Sequence, residues 1–199
     1  MARTKDQEAR RAQLSEAAGR ALLSRGLEGL RLRDVAEEAG VTPAAVLYYY
    51  EDLDALMYET FQQAIERFCR DRESAAERHT DARERLRSCI AAGVADGPHD
   101  RLPRLLFEYW PRTLRDPKAA ALDSALTERQ ISVYQGILVL GEAQGHFALT
   151  DAPRMIAANF VAMEDGYQMD VLAGRRTQLE VITALHSYGR AATGDQLEG

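Results

Sequence analysis

The hydrophobic positions of this chain recur with the spacing of α-helices along most of its length. Near the N-terminus they fall every three to four residues, on one face of a first helix: Leu14, Ala17, Ala18, Ala21 and Leu22. Gly26 predicts the end of this helix, because glycine is favoured just past a helix C-terminus. No useful length of sequence alternates as a β-strand does, so the pattern predicts an all-α fold.

Two short helices are predicted next. The first carries a brief apolar stripe and ends at Gly40: Leu32, Val35, Ala36 and Ala39. Thr42 is a natural N-cap for the second, and Pro43 stands at its first position, where the missing N–H costs nothing. We expect this third helix to run to about Tyr50.

A long fourth helix, from about residue 53 to 78, is opened by Glu51 or Asp52. Its apolar stripe contains Leu53, Met57, Phe61, Ala64, Ile65 and Phe68. Glycine, proline and aspartate breaks then separate five further predicted helices, over residues 81–95, 101–115, 117–143, 152–173 and 176–192.

The segment from residue 30 to 57 has the features of a helix-turn-helix. Ala36 and Ala39 are small enough for two helices to cross closely, Gly40 tolerates the turn, and Val41 supplies an apolar plug after it. The second helix of such a motif presents its N-terminal side chains to the DNA major groove. We therefore predict a three-helix helix-turn-helix DNA-binding domain over residues 1–52 and a C-terminal helical bundle for ligand binding and dimerisation over residues 53–199, linked by the fourth helix.

Charge gives a weaker signal than this motif. The chain has a net charge of −6, but its first fifty residues hold eight basic and seven acidic side chains. The basic groups crowd the extreme N-terminus, which includes Arg3 and Lys5, and the pair Arg31 and Arg33. A local basic face attracts phosphates even on an acidic molecule, so this distribution is compatible with DNA binding.

Three short motifs support the helix-turn-helix interpretation: Gly40-Val41-Thr42, Tyr48-Tyr49-Tyr50 and Asp54-Ala55-Leu56-Met57. With the end of the first helix, Leu23-Ser24-Arg25-Gly26 before Leu30, they make residues 9–62 resemble the TetR family of bacterial regulators. The resemblance implies a homodimeric, ligand-responsive transcription regulator, typically a repressor, that binds a palindromic operator in double-stranded DNA. It also implies a small-molecule effector of unknown identity.

The resemblance implies a set of DNA-contacting residues: Arg31, Arg33, Thr42, Pro43, Ala44, Leu47, Tyr48 and Tyr49. For Arg33 the alternative is an ion pair with Glu37, four residues along the same helix. Tyr50 takes a core position that the family gives to phenylalanine. Leu53 stands where the family usually has a phosphate-binding lysine, and Leu47 stands where it usually has the first tyrosine. Without that lysine, the slope of log affinity against log salt should be shallower by about one.

The C-terminal part resembles the choline-sensing repressors of betaine synthesis at residues 141–147 (GEAQGHF) and 164–167 (EDGY). Ligand-binding halves diverge freely in this family, so the effector is not carried over. Candidates for an effector pocket are Phe107, Tyr109, Trp110, Tyr134, Asn159, Met163 and Tyr167. The alternative is that these residues form ordinary core. Acidic groups near aromatics would suit a cationic ligand.

The last two long helices are rich in apolar residues: Ile156, Phe160, Met163, Tyr167, Val171, Val181, Ile182, Leu185 and Tyr188. Paired with a two-fold mate, these helices would make a four-helix dimer interface. The alternative is that both stripes only face their own core.

Other function classes are disfavoured. The chain has no phosphate-binding glycine loop, nucleophile elbow or His-Glu-x-x-His motif, so we expect no enzyme. Its four histidines have no metal-ligand spacing, so we expect neither a metal nor another cofactor. A helical-bundle interaction protein without DNA binding is the remaining alternative, but it leaves the turn and the tyrosines unexplained.

Cys69 and Cys89 are expected to be buried thiols, with a disulfide as the alternative. The N-terminus lacks the apolar region of a signal peptide, and no apolar run approaches the roughly 18 residues of a membrane helix. We therefore expect a cytoplasmic protein.

Overall fold

The computed structural model describes residues 2–194, with side chains from residue 7 onward, as nine α-helices and one short 3₁₀ helix. The α-helices are α1 (Ala2–Arg25), α2 (Leu32–Glu38), α3 (Pro43–Leu47), α4 (Leu53–Glu77), α5 (Ala82–Gly93), α6 (Arg101–Tyr109), α7 (Pro117–Ala143), α8 (Pro153–Leu172) and α9 (Gln178–Thr193). The 3₁₀ helix, Trp110–Leu114, follows α6 directly. No described residue lies in a strand, which confirms the all-α prediction.

The chain forms two compact units. The first unit contains the residues up to Glu66 together with Arg104–Ala121, and the second contains Arg67–Pro103 together with the residues from Leu122 onward. Helices α4, α6 and α7 each supply residues to both units.

The core of the first unit is built from the stripes that the sequence predicts. All five predicted apolar residues of α1 are at most 2% exposed. Val35 of α2, Val46 of α3 and Leu56 of α4 have no exposed surface at all. Burial of these side chains fixes the short helices α2 and α3, which are too brief to be stable alone.

The core of the second unit contains aromatic side chains in direct contact. The Tyr134 ring of α7 stacks on Phe160 of α8 at 4.6 Å between ring centroids, and Phe160 meets the edge of Tyr188 of α9 at 4.8 Å.

Most of the apolar residues that the sequence assigned to a dimer interface on α8 and α9 belong to this core. The most buried of these residues, at 0–1% exposure, are Ile156, Phe160, Val171, Val181 and Leu185. Those five residues therefore pack within their own chain, and the prediction that they face a partner is wrong.

Two helix ends differ from the prediction. The helix expected over residues 101–115 stops at Tyr109, and the chain continues as a 3₁₀ turn. Pro111 explains the change, because it has no N–H to donate and its ring clashes with the preceding helical turn. Helix α3 ends at Leu47 and not near Tyr50, so Tyr48 and Tyr49 lie in the turn that follows it.

Two smaller expectations can also be compared with the structure. Cys69 and Cys89 are buried and form no disulfide, which confirms the thiol interpretation. Among the helices of residues 2–194, none is long and apolar enough to cross a membrane.

Candidate functional site

The turn between α2 and α3 has the geometry that the sequence predicts. Gly40 adopts φ +66°, a left-handed conformation that side chains with a Cβ rarely take. The Val41 amide donates to the Ala36 carbonyl at 2.9 Å, which ties the turn to α2. The Thr42 hydroxyl accepts from the Ala45 amide at 3.2 Å and caps α3. The start of α3 is therefore held in one orientation.

The side chains predicted to contact DNA lie on the surface of the first unit. Seven of them are exposed, and Tyr49 is half-buried. Tyr48 is 69% exposed, a large value for an aromatic side chain, and its ring packs edge-on against Tyr49 at 5.0 Å. We call this set the recognition surface: Arg31, Arg33, Thr42, Pro43, Ala44, Leu47, Tyr48 and Tyr49.

Tyr50 belongs to the core, as predicted, and is tied to α1 and α4. Its hydroxyl donates to Glu59 at 2.9 Å, and the Arg11 guanidinium lies 4.3 Å from its ring centroid. Arg11 also pairs with Glu59 and donates to the Tyr49 carbonyl at 2.6 Å. Burial, and then the hydrogen bond to Glu59, raises the pKa of Tyr50 well above its ordinary value, so it remains a donor. This network fixes the backbone beneath Tyr48 and Tyr49.

Two arginines of the first unit, Arg20 and Arg25, lie beside carboxylates, whereas Arg33 is largely exposed. Arg20 is paired with Glu38 at 2.6 Å, and Arg25 lies 3.6 Å from Asp34 and 3.7 Å from Glu37. Glu37 therefore lies beside Arg25, whereas the carboxylate recorded beside Arg33 is Asp34 at 3.9 Å. The Arg33 side chain is 73% exposed, so its guanidinium has free surface for an anion. The side chains of Arg3 and Lys5 lie outside the described residues.

The candidate effector residues fall into both units. In the first unit, Tyr109 is buried against Phe61 at 4.5 Å between rings, Phe107 is half-buried, and Trp110 is 46% exposed. Tyr109 is thus mainly a core residue. Trp110, predicted to lie within a helix, begins the 3₁₀ turn.

In the second unit, Tyr134 is fully buried, and Met163 and Tyr167 are half-buried against the core. The Arg176 guanidinium lies 5.1 Å from the Tyr167 ring centroid. Asn159 is exposed on α8. Tyr134 and Met163 therefore belong to the aromatic core region, while Asn159 faces outward.

Sequence inspection missed the most strongly polar cluster of the second unit. Arg72, on α4, is only 1% exposed, and its guanidinium donates to both carboxylate oxygens of Glu164 on α8, at 2.7 and 2.6 Å. It also donates to Gln130 and, at 3.2 Å, to the Cys89 sulfur. Tyr134 donates its hydroxyl to Glu164 and presents its ring 4.7 Å from the guanidinium.

Burial shifts the pKa of several groups in this cluster, and it raises that of Glu164 against the opposing charge of Arg72. Burial, reinforced by the Glu164 charge, raises the pKa of the Tyr134 hydroxyl well above its ordinary value, so that hydroxyl stays a donor. Burial likewise raises the pKa of the Cys89 thiol. Gly93 makes room for the cluster, because a Cβ there would lie 2.7 Å from Glu164 and 2.9 Å from Arg72. The apolar stripes carried no signal for it, since it joins residues 92 positions apart.

A second polar feature lies next to this cluster. Asp165 is exposed on α8, yet desolvation by the surrounding protein, with the charges of Glu164 and Asp123, raises its pKa to about 6. Its carboxylate is therefore destabilised near neutral pH.

The segment of residues 141–147 has a structural role. A Cβ on Gly141 would lie 1.9 Å from the Phe147 ring, so only glycine lets that ring pack against the end of α7. The Gln144 side chain accepts from the Ala82 amide at 2.9 Å and donates to the Thr80 carbonyl at 2.8 Å, which joins the ends of α7 and α5. Metal binding has no comparable basis, because the described residues contain no group of three or more potential ligands.

Comparison with known proteins agrees with this geometry. The family described as "Bacterial regulatory proteins, tetR family" matches residues 14–60, which include α2, the turn and α3. The HTH-type transcriptional regulator BetI of Burkholderia cenocepacia strain HI2424 is 31% identical over 128 residues, which is 61% of this chain. The match spans 64% of BetI, slightly less than two thirds of its length.

Two solved structures share the fold. A transcriptional regulator from Saccharomonospora viridis, in complex with choline, superposes with a TM-score of 0.81 at 21% identity, covering 91% of this chain and 95% of the other. AibR, in complex with isovaleryl coenzyme A and operator DNA, superposes with a TM-score of 0.68 at 19% identity, covering 88% and 95%. Residues 14–60 are therefore similar to the N-terminal domain of the TetR family, and the chain resembles BetI over about three fifths of its length.

Proposed function

We propose that the protein is a homodimeric, ligand-responsive transcription regulator, acting as a repressor, that binds a palindromic operator. Residues 1–52 are the proposed DNA-binding domain and residues 53–199 the ligand-binding and dimerisation domain, linked by the helix from about 53 to 78. The recognition surface is the observation that carries this proposal. Its side chains, seven of them exposed and Tyr49 half-buried, lie at the start of α2 and along the capped helix α3 and the turn after it.

The chemistry of the recognition surface suits duplex DNA. Arg31 and Arg33 supply positive charge for phosphates or guanine edges. Pro43 and Ala44 are small and apolar, and suit thymine methyl groups in the major groove. Tyr48 and Tyr49 supply hydroxyl groups that can bind phosphate oxygens. Thr42, at the N-terminus of α3, offers its hydroxyl or its backbone amide to a phosphate. No catalytic chemistry is proposed, and a cytoplasmic location follows because operator DNA is there.

Selection of bound sequences from a random DNA pool tests the proposal directly. A dimer with two recognition helices should select an inverted repeat, because the symmetry of the site mirrors that of the protein. Recovery of a single asymmetric half-site bound by a monomer would contradict the proposal. Failure to retard any genomic fragment at low salt would favour the alternative of an interaction protein without DNA binding.

Substitutions divide base contacts from phosphate contacts. Arg33→Ala should relax base choice at one position in each half-site, at a cost of about 1–3 kcal/mol for the preferred base. Tyr49→Phe should weaken binding to all sequences about equally. The matched control is Arg70→Ala, which removes the same charge from an exposed position on α4 outside the recognition surface. If Arg33→Ala and Arg70→Ala behave alike, Arg33 contacts no base.

We propose that dimerisation uses the outer face of α8 and the adjoining α9. Exposed residues recur on α8 at the three- and four-residue spacing of a helix–helix contact: Met155, Asn159, Ala162, Gly166 and Met169. We call this row the α8 stripe. Met155 and Met169 are each more than half exposed, as is Leu179 at the start of α9. A two-fold partner would cover this apolar surface.

A charge in the α8 stripe tests that assignment. Met169→Glu should give monomers in sedimentation experiments. These monomers should retain the helical circular dichroism spectrum of the wild type. The matched control is Val139→Glu, which places the same charge at an exposed apolar position on α7 and should leave the dimer intact. Leu185→Glu should instead unfold the second unit, because Leu185 is completely buried. A dimeric Met169→Glu variant would place the interface elsewhere.

We propose a small-molecule effector that binds the second unit beside Tyr134, Met163 and Tyr167. Solved relatives named with choline, and with isovaleryl coenzyme A and operator DNA, support this role for the helical bundle. The remaining candidate effector residues are to be tested by single substitutions: Phe107, Tyr109, Trp110 and Asn159. The effector must bind the two states unequally, with a coupling of about 1–3 kcal/mol being typical.

Reciprocal titration tests the effector role. A ligand that releases operator must itself bind more weakly when operator is present, because the coupling free energy is shared. Trp110, the one tryptophan of the chain, provides a fluorescence signal for such titrations. A tightly bound candidate that leaves operator affinity unchanged is not the effector.

A further inference from the structure

The Arg72 guanidinium is enclosed on every hydrogen-bonding edge. Its Nε donates to Cys89, its Nη1 to Gln130, and its Nη2 to Glu164. The Tyr134 ring covers one face, and Tyr134 itself is braced by stacking on Phe160. We call these four partners, together with the glycine whose missing Cβ leaves room for them, the Arg72 cage: Cys89, Gln130, Tyr134, Glu164 and Gly93.

The Arg72 cage has the chemistry of a receptor for an organic cation. A buried carboxylate supplies the countercharge, an aromatic face supplies cation–π attraction, and an amide oxygen accepts a further hydrogen bond. Within the described part of the second unit, Glu164 is the one carboxylate that is fully buried. Tyr134 is also a candidate effector residue. The groups best suited to a cationic effector are therefore already bound to a cation of the chain itself.

We propose that Arg72 is a specificity-determining residue, occupying a cation cage from within and so restricting the effector of this protein to molecules that are not organic cations. The proposal rests on the proposed function, since it concerns the effector of that regulator. The ligand of the choline-bound structure is a quaternary ammonium ion, a class of molecule that this proposal excludes as the effector here.

Energetics explain why an added cation cannot share the cage. Glu164 carries one negative charge and is paired with Arg72 through both oxygens. An entering cation would take that carboxylate and leave the buried guanidinium without a countercharge, which is strongly unfavourable in a low-dielectric interior. A neutral or anionic ligand bound nearby meets no such conflict. Removing Arg72 reverses the situation, because Glu164 then lacks its cation.

The test is binding of guanidinium, methylguanidinium and choline, each as a chloride salt at millimolar concentration, to the full-length protein. Thermal unfolding and calorimetry provide the readouts, with sodium chloride at equal ionic strength as the reference. Wild type should show no saturable binding. Arg72→Ala should bind at least one of the three cations at least about tenfold more tightly than wild type, with a rise in melting temperature. Adding Glu164→Gln to that variant should abolish the gain.

The control variant is Arg129→Ala. It removes another arginine of the second unit, one that contacts Glu73 through two nitrogens but is 35% exposed. It should gain no cation binding. Arg72→Gln is made in parallel, because it keeps a hydrogen-bonding side chain but removes the positive charge. If both Arg72 variants refold only poorly, their refolding yield is measured in guanidinium chloride and in sodium chloride at the same concentration. The yield is expected to be higher in guanidinium chloride.

Three outcomes would overturn the proposal. The first is saturable binding of any of these cations to wild type that Glu164→Gln abolishes. The second is a folded Arg72→Ala protein with no gain, and the third is absence of rescue during refolding. Operator binding is measured separately on wild type. If operator binds but the cation result fails, only this inference falls, whereas failure to bind any DNA sinks the proposed function and leaves the cation measurement standing.

Discussion

Replacing Glu164 with methionine would leave the Arg72 guanidinium fully buried without its countercharge. The structure allows little relief, since Arg72 is 1% and Glu164 4% exposed. Breaking a buried pair in this way costs about 3–5 kcal/mol. Tyr134 would also lose the acceptor of its hydroxyl, which adds to the loss. Arg72→Met should cost less, because burial raises the pKa of Glu164 and the carboxyl can take up a proton once the guanidinium is gone.

The double variant Arg72→Met with Glu164→Met separates pairing from packing. Two methionines remove both charges and keep most of the apolar volume, so the double variant should be more stable than the sum of the single losses implies, by at least about 2 kcal/mol. Urea unfolding followed by circular dichroism measures all four proteins. Additivity within about 0.5 kcal/mol would refute the reasoning, because it would mean that the two side chains do not depend on each other.

Three further predictions concern other parts of the chain. Gly141→Ala should destabilise the second unit by about 1–3 kcal/mol in urea unfolding, since its Cβ would overlap the Phe147 ring, and a neutral result would mean that the ring moves freely. Because the folded-state pKa of Asp165 is raised to about 6, Asp165 should contribute a loss of stability as pH rises from about 4 to 6, opposite in sign to the contribution of carboxyls whose pKa is lowered, such as Asp81 and Asp170. Asp165→Asn should remove that loss, whereas the exposed control Glu142→Gln should keep it. Leu53→Lys should steepen the salt dependence of operator binding by about one phosphate contact, and an unchanged slope would mean that no phosphate lies near this position.

Local patterns were sufficient to predict most of the helices. The stripe of α1 follows from apolar spacing and the extent of α7 from the breaks at Asp116-Pro117 and Gly145, and both signals depend only on neighbours along the chain. Gly40 and Thr42 likewise specify the turn and the cap through their own backbone and side-chain chemistry. The helix predicted over residues 101–115 was too long, because Pro111 interrupts α-helical hydrogen bonding before the break at Asp116-Pro117 is reached.

The direction of each apolar face was less predictable. Leu185 and Met169 are both apolar residues of long C-terminal helices, yet one is completely buried and the other is 56% exposed. Spacing shows that a stripe exists but cannot say whether a neighbour within the chain or a second copy covers it. The burial of each side chain decides that question.

The sequence by itself determined the all-α class, the turn between α2 and α3, and the candidate recognition surface, because each depends on residues within a few positions of one another. Only the tertiary structure decided where the buried charges lie. Arg72 and Glu164 are separated by 92 positions, and the motif at residues 164–167 that contains Glu164 does not identify its partner. Their pairing arises because α4, α5, α7 and α8 meet in one core, and a charge removed from water must find its partner wherever the fold brings one.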